Sequence, residues 1–167
     1  ARSYRPAEWS PLLGEAGIAH ARVFRTFLSD YASSDPVIVG AGPAGCAAAI
    51  TLARGGARPV ILEKAHDVGD ALCGGFLSWC TIESLRALGV DPNGHAIDHL
   101  RVFSRDTFVS APLPQAAQGL SRRVMDTALR KAATAAGAGL ETGVMVRHIN
   151  DLADRTDAVF LATGSMT

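Results

Sequence analysis

The sequence has no surplus of charge: sixteen Lys and Arg face sixteen Asp and Glu, for a formal net charge of zero. Without a basic excess there is no electrostatic footprint for nucleic acid or an anionic membrane, and without an acidic excess there is no solvating tail. Cysteine is scarce. Cys46, Cys73 and Cys80 are an odd number with no paired ligand spacing, which argues against a disulfide scaffold and a zinc site. No apolar run approaches the ~20 residues of a membrane-spanning helix, and the N-terminus lacks the charged-then-apolar pattern of a signal peptide. These absences point to a reducing, cytoplasmic setting, with no nucleic-acid partner, no transmembrane segment and no metal.

What is present is a globular composition, 48% hydrophobic and 19% charged. The 167 residues amount to one domain, short for an enzyme with separate cofactor and substrate domains. The chain opens on Ala1 and closes three positions past Gly164, which reads as a piece of a longer protein.

Residues 1–35 include Pro6 and Pro11, a short helical pattern at Leu12–Ala16, a strand pattern at Ala21–Phe27 and a polar linker from Ser29 to Asp35. The composition then shifts. Pro36–Val39 is a continuous apolar run, as in a strand buried on both faces. A glycine-rich turn follows at Gly40–Gly45, then an Ala-rich helix to Arg54 that stops at Gly55-Gly56, and a second buried strand over Pro59–Leu62. This is a βαβ unit. Further on, apolar residues at Trp79, Ile82, Leu85 and Leu88 predict a helix ending before Gly89. Alternation over His99–Ser104 and Thr107–Ala111 predicts a hairpin around Arg105-Asp106. Ser121 is placed to cap a helix over Arg122–Ala136, and Leu140–Val146 and Asp157–Gly164 read as strands.

Gly40-Ala41-Gly42-Pro43-Ala44-Gly45 fits G-x-G-x-x-G. It follows a buried strand, opens a helix and has Glu63 on the next strand, 23 residues after Gly40. Gly40 permits the tight turn, Gly42 lets the backbone approach a pyrophosphate, and Gly45 lets the helix pack closely. The unpaired amides at the helix start then face the phosphates, and Pro43 costs nothing there because no N–H is needed. Glu63 is placed to accept from ribose hydroxyls and to repel a 2′-phosphate, so the expected ligand is FAD or NAD.

Val37 to Gly45 together with Leu62-Glu63-Lys64 resembles the FAD-binding N-terminus of glutathione-reductase-like flavoproteins. Arg122-Arg123-Val124-Met125-Asp126, with Leu129, Ala132 and Gly137-Ala138-Gly139, is similar to that family's R-x-x-x-D…L…A…G-A segment. Asp157–Gly164 is similar to its D-x-V-x-x-A-T-G strand, and Cys73-Gly74-Gly75-Phe76-Leu77-Ser78 resembles the C-G-x-x-L-S loop of the geranylgeranyl reductase group. The aromatic hydroxylases of the same family carry an arginine shortly after the acidic residue, and between Glu63 and Arg86 this sequence has none.

The resemblance implies an α/β fold: a Rossmann-like FAD-binding domain with a mainly parallel sheet, cut before the substrate domain. It assigns residues 36–167 to that domain and residues 1–35 to an extension or foreign tail. It implies FAD as cofactor, NAD(P)H as electron donor, a lipophilic isoprenoid- or polyketide-like substrate and, as partner, a missing C-terminal half. The cofactor-binding set it implies is Gly40, Gly42, Pro43, Ala44, Gly45, Glu63, Lys64, Arg122, Ala162 and Gly164. In this reading Arg122 contacts FAD, and Cys73, in a loop near the flavin, tunes it or assists protonation of the substrate. The other readings are an aromatic-ring monooxygenase, a non-catalytic nucleotide-binding fragment and, for Cys73, an ordinary loop thiol. Tyr4–Ile18 also resembles the closing segment of class I methyltransferases, through Glu8-Trp9-Ser10-Pro11-Leu12-Leu13-Gly14-Glu15-Ala16-Gly17.

Other residues read as structural. Cys46 and Cys80 are expected to be packing residues, as are Trp9 and Trp79, and Arg123 a solvated charge. His95 and His99 stand four apart but lack the Glu of a zinc-protease helix, and Ser78 and Ser165 lack a nucleophile-elbow context.

Overall fold

The computed structural model describes residues 22–25, 35–71, 75–156 and 158–164. The methyltransferase-like segment, Trp9, Cys73 and Ser165 therefore lie outside the described residues. The chain divides into two compact units, residues 1–69 with 126–167, and residues 70–125.

The first unit is built on a five-stranded sheet. In chain order its strands are β1 (Arg22–Arg25), β2 (Val37–Val39), β3 (Val60–Glu63), β7 (Gly139–Thr142) and β8 (Ala158–Leu161). They lie side by side as β1-β8-β2-β3-β7. All neighbours run parallel except β1, which pairs antiparallel with β8. A central parallel strand is covered on both faces, which is why β2 is an unbroken β-branched run, buried at every position. The period of two divides the core. Val37, Val39, Leu62 and Val159 form one cluster with Leu152, while Ile38, Ile61 and Phe160 alternate with them and are almost wholly inaccessible. Each such side chain contributes roughly 1.5–3 kcal/mol through burial.

Helix α1 (Pro43–Arg54) links β2 to β3 and buries Cys46, Ala49 and Ile50. Its small residues allow close approach to the sheet. Pro43 occupies the first turn and Gly42 the N-cap, as the missing N–H of proline allows. The strand expected over Leu140–Val146 is shorter. β7 ends at Thr142 because Gly143 takes left-handed backbone (φ 75°), and only Val144 N–H reaches back to the Glu63 carbonyl, at 2.9 Å.

The second unit holds β4 (Phe76–Leu77), α2 (Trp79–Ala87) and the hairpin β5 (His95–Ser104) and β6 (Thr107–Gly119), its sheet ordered β4-β6-β5. Ser78 caps α2, its Oγ accepting from Thr81 N–H. The hairpin turns at Arg105-Asp106 as expected, but its strands run back to His95 and on to Gly119. Pro112 and Pro114 lie inside β6. They are tolerated because β4 pairs with β6 only at Gln118 and Gly119, so the rest of that edge demands no ladder donors. The i, i+4 histidines consequently sit on an extended strand, about 13 Å apart along it, too far for a shared ion. Cys80, expected to pack, is exposed, and Trp79 is half-buried.

Helix α3 (Arg122–Ala135) begins in the second unit and continues in the first from Asp126. Ser121 caps it, with Oγ accepting from Val124 N–H at 3.3 Å. Met125, Leu129 and Ala133, spaced by four, are its buried stripe. Among the described residues no helix is long and apolar enough to cross a membrane.

Candidate functional site

The strand β2 delivers the chain to Gly40, whose φ is 106°. The turn is also crowded: a Cβ on Gly40 would lie 2.5 Å from the Ala162 carbonyl oxygen, on the segment that has just left β8. One on Gly45 would overlap the Gly40 carbonyl oxygen. Both glycines are therefore required by the backbone itself, with Ala162 as the wall they pack against. Gly42 differs. Its φ is −77°, unstrained, and a Cβ there would meet nothing within 4 Å. Among the described residues no contact demands glycine at that position. What glycine leaves there is open space beside the first turn of α1.

That first turn has amides to offer. The earliest intrahelical bond runs from Cys46 N–H to the Gly42 carbonyl at 2.9 Å, so the N–H groups of Ala44 and Gly45 precede the ladder and lie at the positive end of the helix dipole. Such a terminus accepts a phosphate without further machinery.

Glu63, the last residue of β3, turns its carboxylate onto the loop. Oε2 accepts from Ala41 N–H at 2.7 Å and Oε1 from Ala65 N–H at 3.0 Å. Each oxygen keeps a further lone pair, the capacity a vicinal hydroxyl pair needs. Lys64 beside it is exposed.

Arg130 of α3 enters the same cluster, and the sequence reading did not include it. Its Nε donates to the Ala41 carbonyl at 3.3 Å, and its guanidinium lies 3.8 Å from Glu63 Oε2. Both side chains are largely buried, 14% exposed for Arg130 and 12% for Glu63. The only signal for it in the sequence was position, four after Asp126 and next to Leu129, and that spacing carries no chemistry of its own. Cys46 completes the underside: its Sγ donates to the Ala41 carbonyl at 3.4 Å. Burial pushes its thiol up to about 12, so Cys46 is an inert packing residue, as expected.

The structure thus gathers Gly40, Gly42, Pro43, Ala44, Gly45, Glu63 and Ala162 around one loop. Gly164 takes left-handed backbone (φ 76°) just past β8. Arg122, half-buried, belongs to the second unit, where it lines an open cavity of about 370 Å³ with Asp70, Ala71, Gly75 and Gly119. Arg123, an exposed charge, forms a bidentate surface pair with exposed Asp70, at 2.8 and 3.3 Å.

The donors fit a dinucleotide: open space at Gly42, unladdered amides behind it, and a carboxylate with spare acceptor capacity beside them. Comparison with known proteins agrees. A family model described as an FAD binding domain matches residues 33–164. The chain is 31% identical over 142 residues to menaquinone reductase of Mycolicibacterium smegmatis, an alignment covering 79% of this chain and 34% of that protein. It is 32% identical over 140 residues to digeranylgeranylglycerophospholipid reductase 1 of Methanothermobacter thermautotrophicus, covering 77% and 34%. The chain therefore spans about a third of the length of these curated relatives. In fold it is similar to a geranylgeranyl bacteriochlorophyll reductase-like protein from Thermoplasma acidophilum, with a TM-score of 0.56, 22% identity, and coverage of 76% of this chain and 36% of that one. With the loop, the acidic partner and the parallel sheet all in place, the chain belongs to the FAD-binding domain family.

Proposed function

We propose that this chain is the FAD-holding part of an oxidoreductase of the geranylgeranyl reductase type, which passes electrons from a reduced nicotinamide to a lipophilic, isoprenoid- or polyketide-like substrate. In this reading residues 36–167 hold the cofactor and residues 1–35 are an extension. The observation that carries it is the Glu63 carboxylate bonded to Ala41 N–H, which puts an anionic ribose acceptor against the phosphate loop. Relatives named as menaquinone and digeranylgeranylglycerophospholipid reductases support the substrate class.

The protein's contribution is to bind and orient. The Ala44 and Gly45 amides hold phosphate, Gly42 leaves room for it, Glu63 takes the ribose hydroxyls, and its negative charge disfavours a nucleotide with a 2′-phosphate. Arg122 adds a cation and Cys73 a thiol to the flavin-side set. When bound, FAD supplies the two-electron redox chemistry.

The test is to titrate the purified chain with FAD, and to supply the longer protein that contains it with reduced nicotinamide and a polyprenyl substrate without oxygen. The expected result is a chain that turns yellow with FAD, within a whole protein that saturates a substrate double bond anaerobically. Oxygen uptake in step with substrate would make it a monooxygenase instead. A colourless chain whose thermal stability is unmoved by FAD or ADP would overturn both readings.

A further inference from the structure

We propose that Arg130 is a positioning residue for the adenosine half of the dinucleotide, acting through Ala41 and Glu63. This rests on the FAD reading above. Ala41 is gripped at both ends of its backbone: its N–H donates to Glu63 Oε2 and its carbonyl accepts from Arg130 Nε. Because the same guanidinium lies 3.8 Å from that carboxylate oxygen, one side chain ties the middle of the G-x-G turn to the ribose acceptor. The tie joins α3 to the loop across 89 residues of sequence.

A guanidinium suits the task, since its planar fork points donors in two fixed directions, toward a carbonyl and toward a carboxylate. An ammonium offers one compact charge and cannot hold both with the same geometry. Arg130 does not act as a phosphate ligand itself. It is 14% exposed, its Nε is committed to the Ala41 carbonyl, and its guanidinium charge lies beside Glu63. Its effect is to fix the Glu63 rotamer and the Ala41–Gly42 peptide before ligand arrives, which lowers the ordering cost of binding. The positive charge also offsets the carboxylate, which would otherwise sit largely buried without a cation.

The experiment is calorimetric titration of the full chain with ADP, comparing wild type, R130Q, R130K, E63Q and the R130Q/E63Q pair. Hydrogen exchange at the Ala41 and Ala65 amides is followed without ligand. R130Q is expected to weaken ADP about tenfold, the usual scale for a bond to a charged group, and R130K to recover part of that loss. Because both residues act at one point, the double variant is expected to bind no more weakly than E63Q alone. Ala41 is expected to exchange faster in R130Q, and still faster than wild type in R130K should R130Q not fold. Wild-type affinity in R130Q, strictly multiplicative losses in the double variant, or unchanged Ala41 exchange would overturn this role while leaving the FAD reading intact. A wild-type chain that binds neither ADP nor FAD would overturn both.

Discussion

Gly40 and Gly42 stand two apart in one motif yet answer to different constraints. Gly40 combines a left-handed φ with a carbonyl 2.5 Å from where a Cβ would lie, so Gly40→Ala must shift the backbone or Ala162. We expect it to lose at least about 2 kcal/mol of stability. Gly42→Ala meets no neighbour and no strained φ, and glycine and alanine differ only modestly in stability at such a position. Its melting temperature is expected to stay near wild type while FAD and ADP affinity falls at least about tenfold, because the methyl enters the space left for phosphate. Melting curves with and without ADP check both. A Gly42→Ala chain that binds normally would show that the opening is not the phosphate site.

Cys46 gives a second residue-level test. Its thiol is held up to about 12, against 9.0 for a free cysteine, chiefly by burial. The folded chain keeps a proton that the unfolded chain releases between those two values. The resulting stability is therefore fully present below pH 9 and is lost as pH rises through the window, at about 1.4 kcal/mol per pH unit. Urea unfolding at pH 8 and pH 10.5 is expected to show a steeper loss for wild type than for Cys46→Ala. In the native chain a maleimide is expected to label exposed Cys80 and spare Cys46.

At the scale of elements, what was legible depended on whether local chemistry or distant pairing set the boundary. Helix ends were readable where caps are local: Ser121 and Gly89 stand where a helix starts and where one stops, and Ser78, not read as a cap from the sequence, proves to be one. Ser78→Ala should cost about 1 kcal/mol, measurable as a lower urea midpoint with an unchanged slope. The strand β2 and the motif loop were equally readable, since a run buried on both faces followed by G-x-G-x-x-G has few other solutions. Strand lengths were not. β6 extends past Pro112 and Pro114 because of which edge lies open, and β7 stops before Gly143 because of a backbone angle. Arg130 escaped for the same reason, since its partner Ala41 is fixed by tertiary packing and not by spacing.

The two units of the whole molecule differ in how much they bury. The first contains nearly every inaccessible apolar side chain of the sheet core, including Ile38, Ile61, Leu62 and Phe160. In the second, the hairpin buries little beyond Ala117 and leaves Leu100, Val102, Phe103, Phe108 and Val109 more than half exposed. Protection from hydrogen exchange follows buried contact, so the amides of β2, β3 and β8 should open only on global unfolding, while the distal hairpin exchanges by local opening. ADP sharpens the contrast, because a ligand that binds only the folded state adds stability where its site is built, about 2.7 kcal/mol at a hundredfold excess over Kd. The amides of residues 37–65 and 126–142 are therefore expected to slow markedly on adding ADP, with those of residues 99–112 unchanged. Equal slowing in both segments would mean that the nucleotide reports on the chain as one cooperative body. Slowing confined to the hairpin would place the adenosine away from Glu63 altogether.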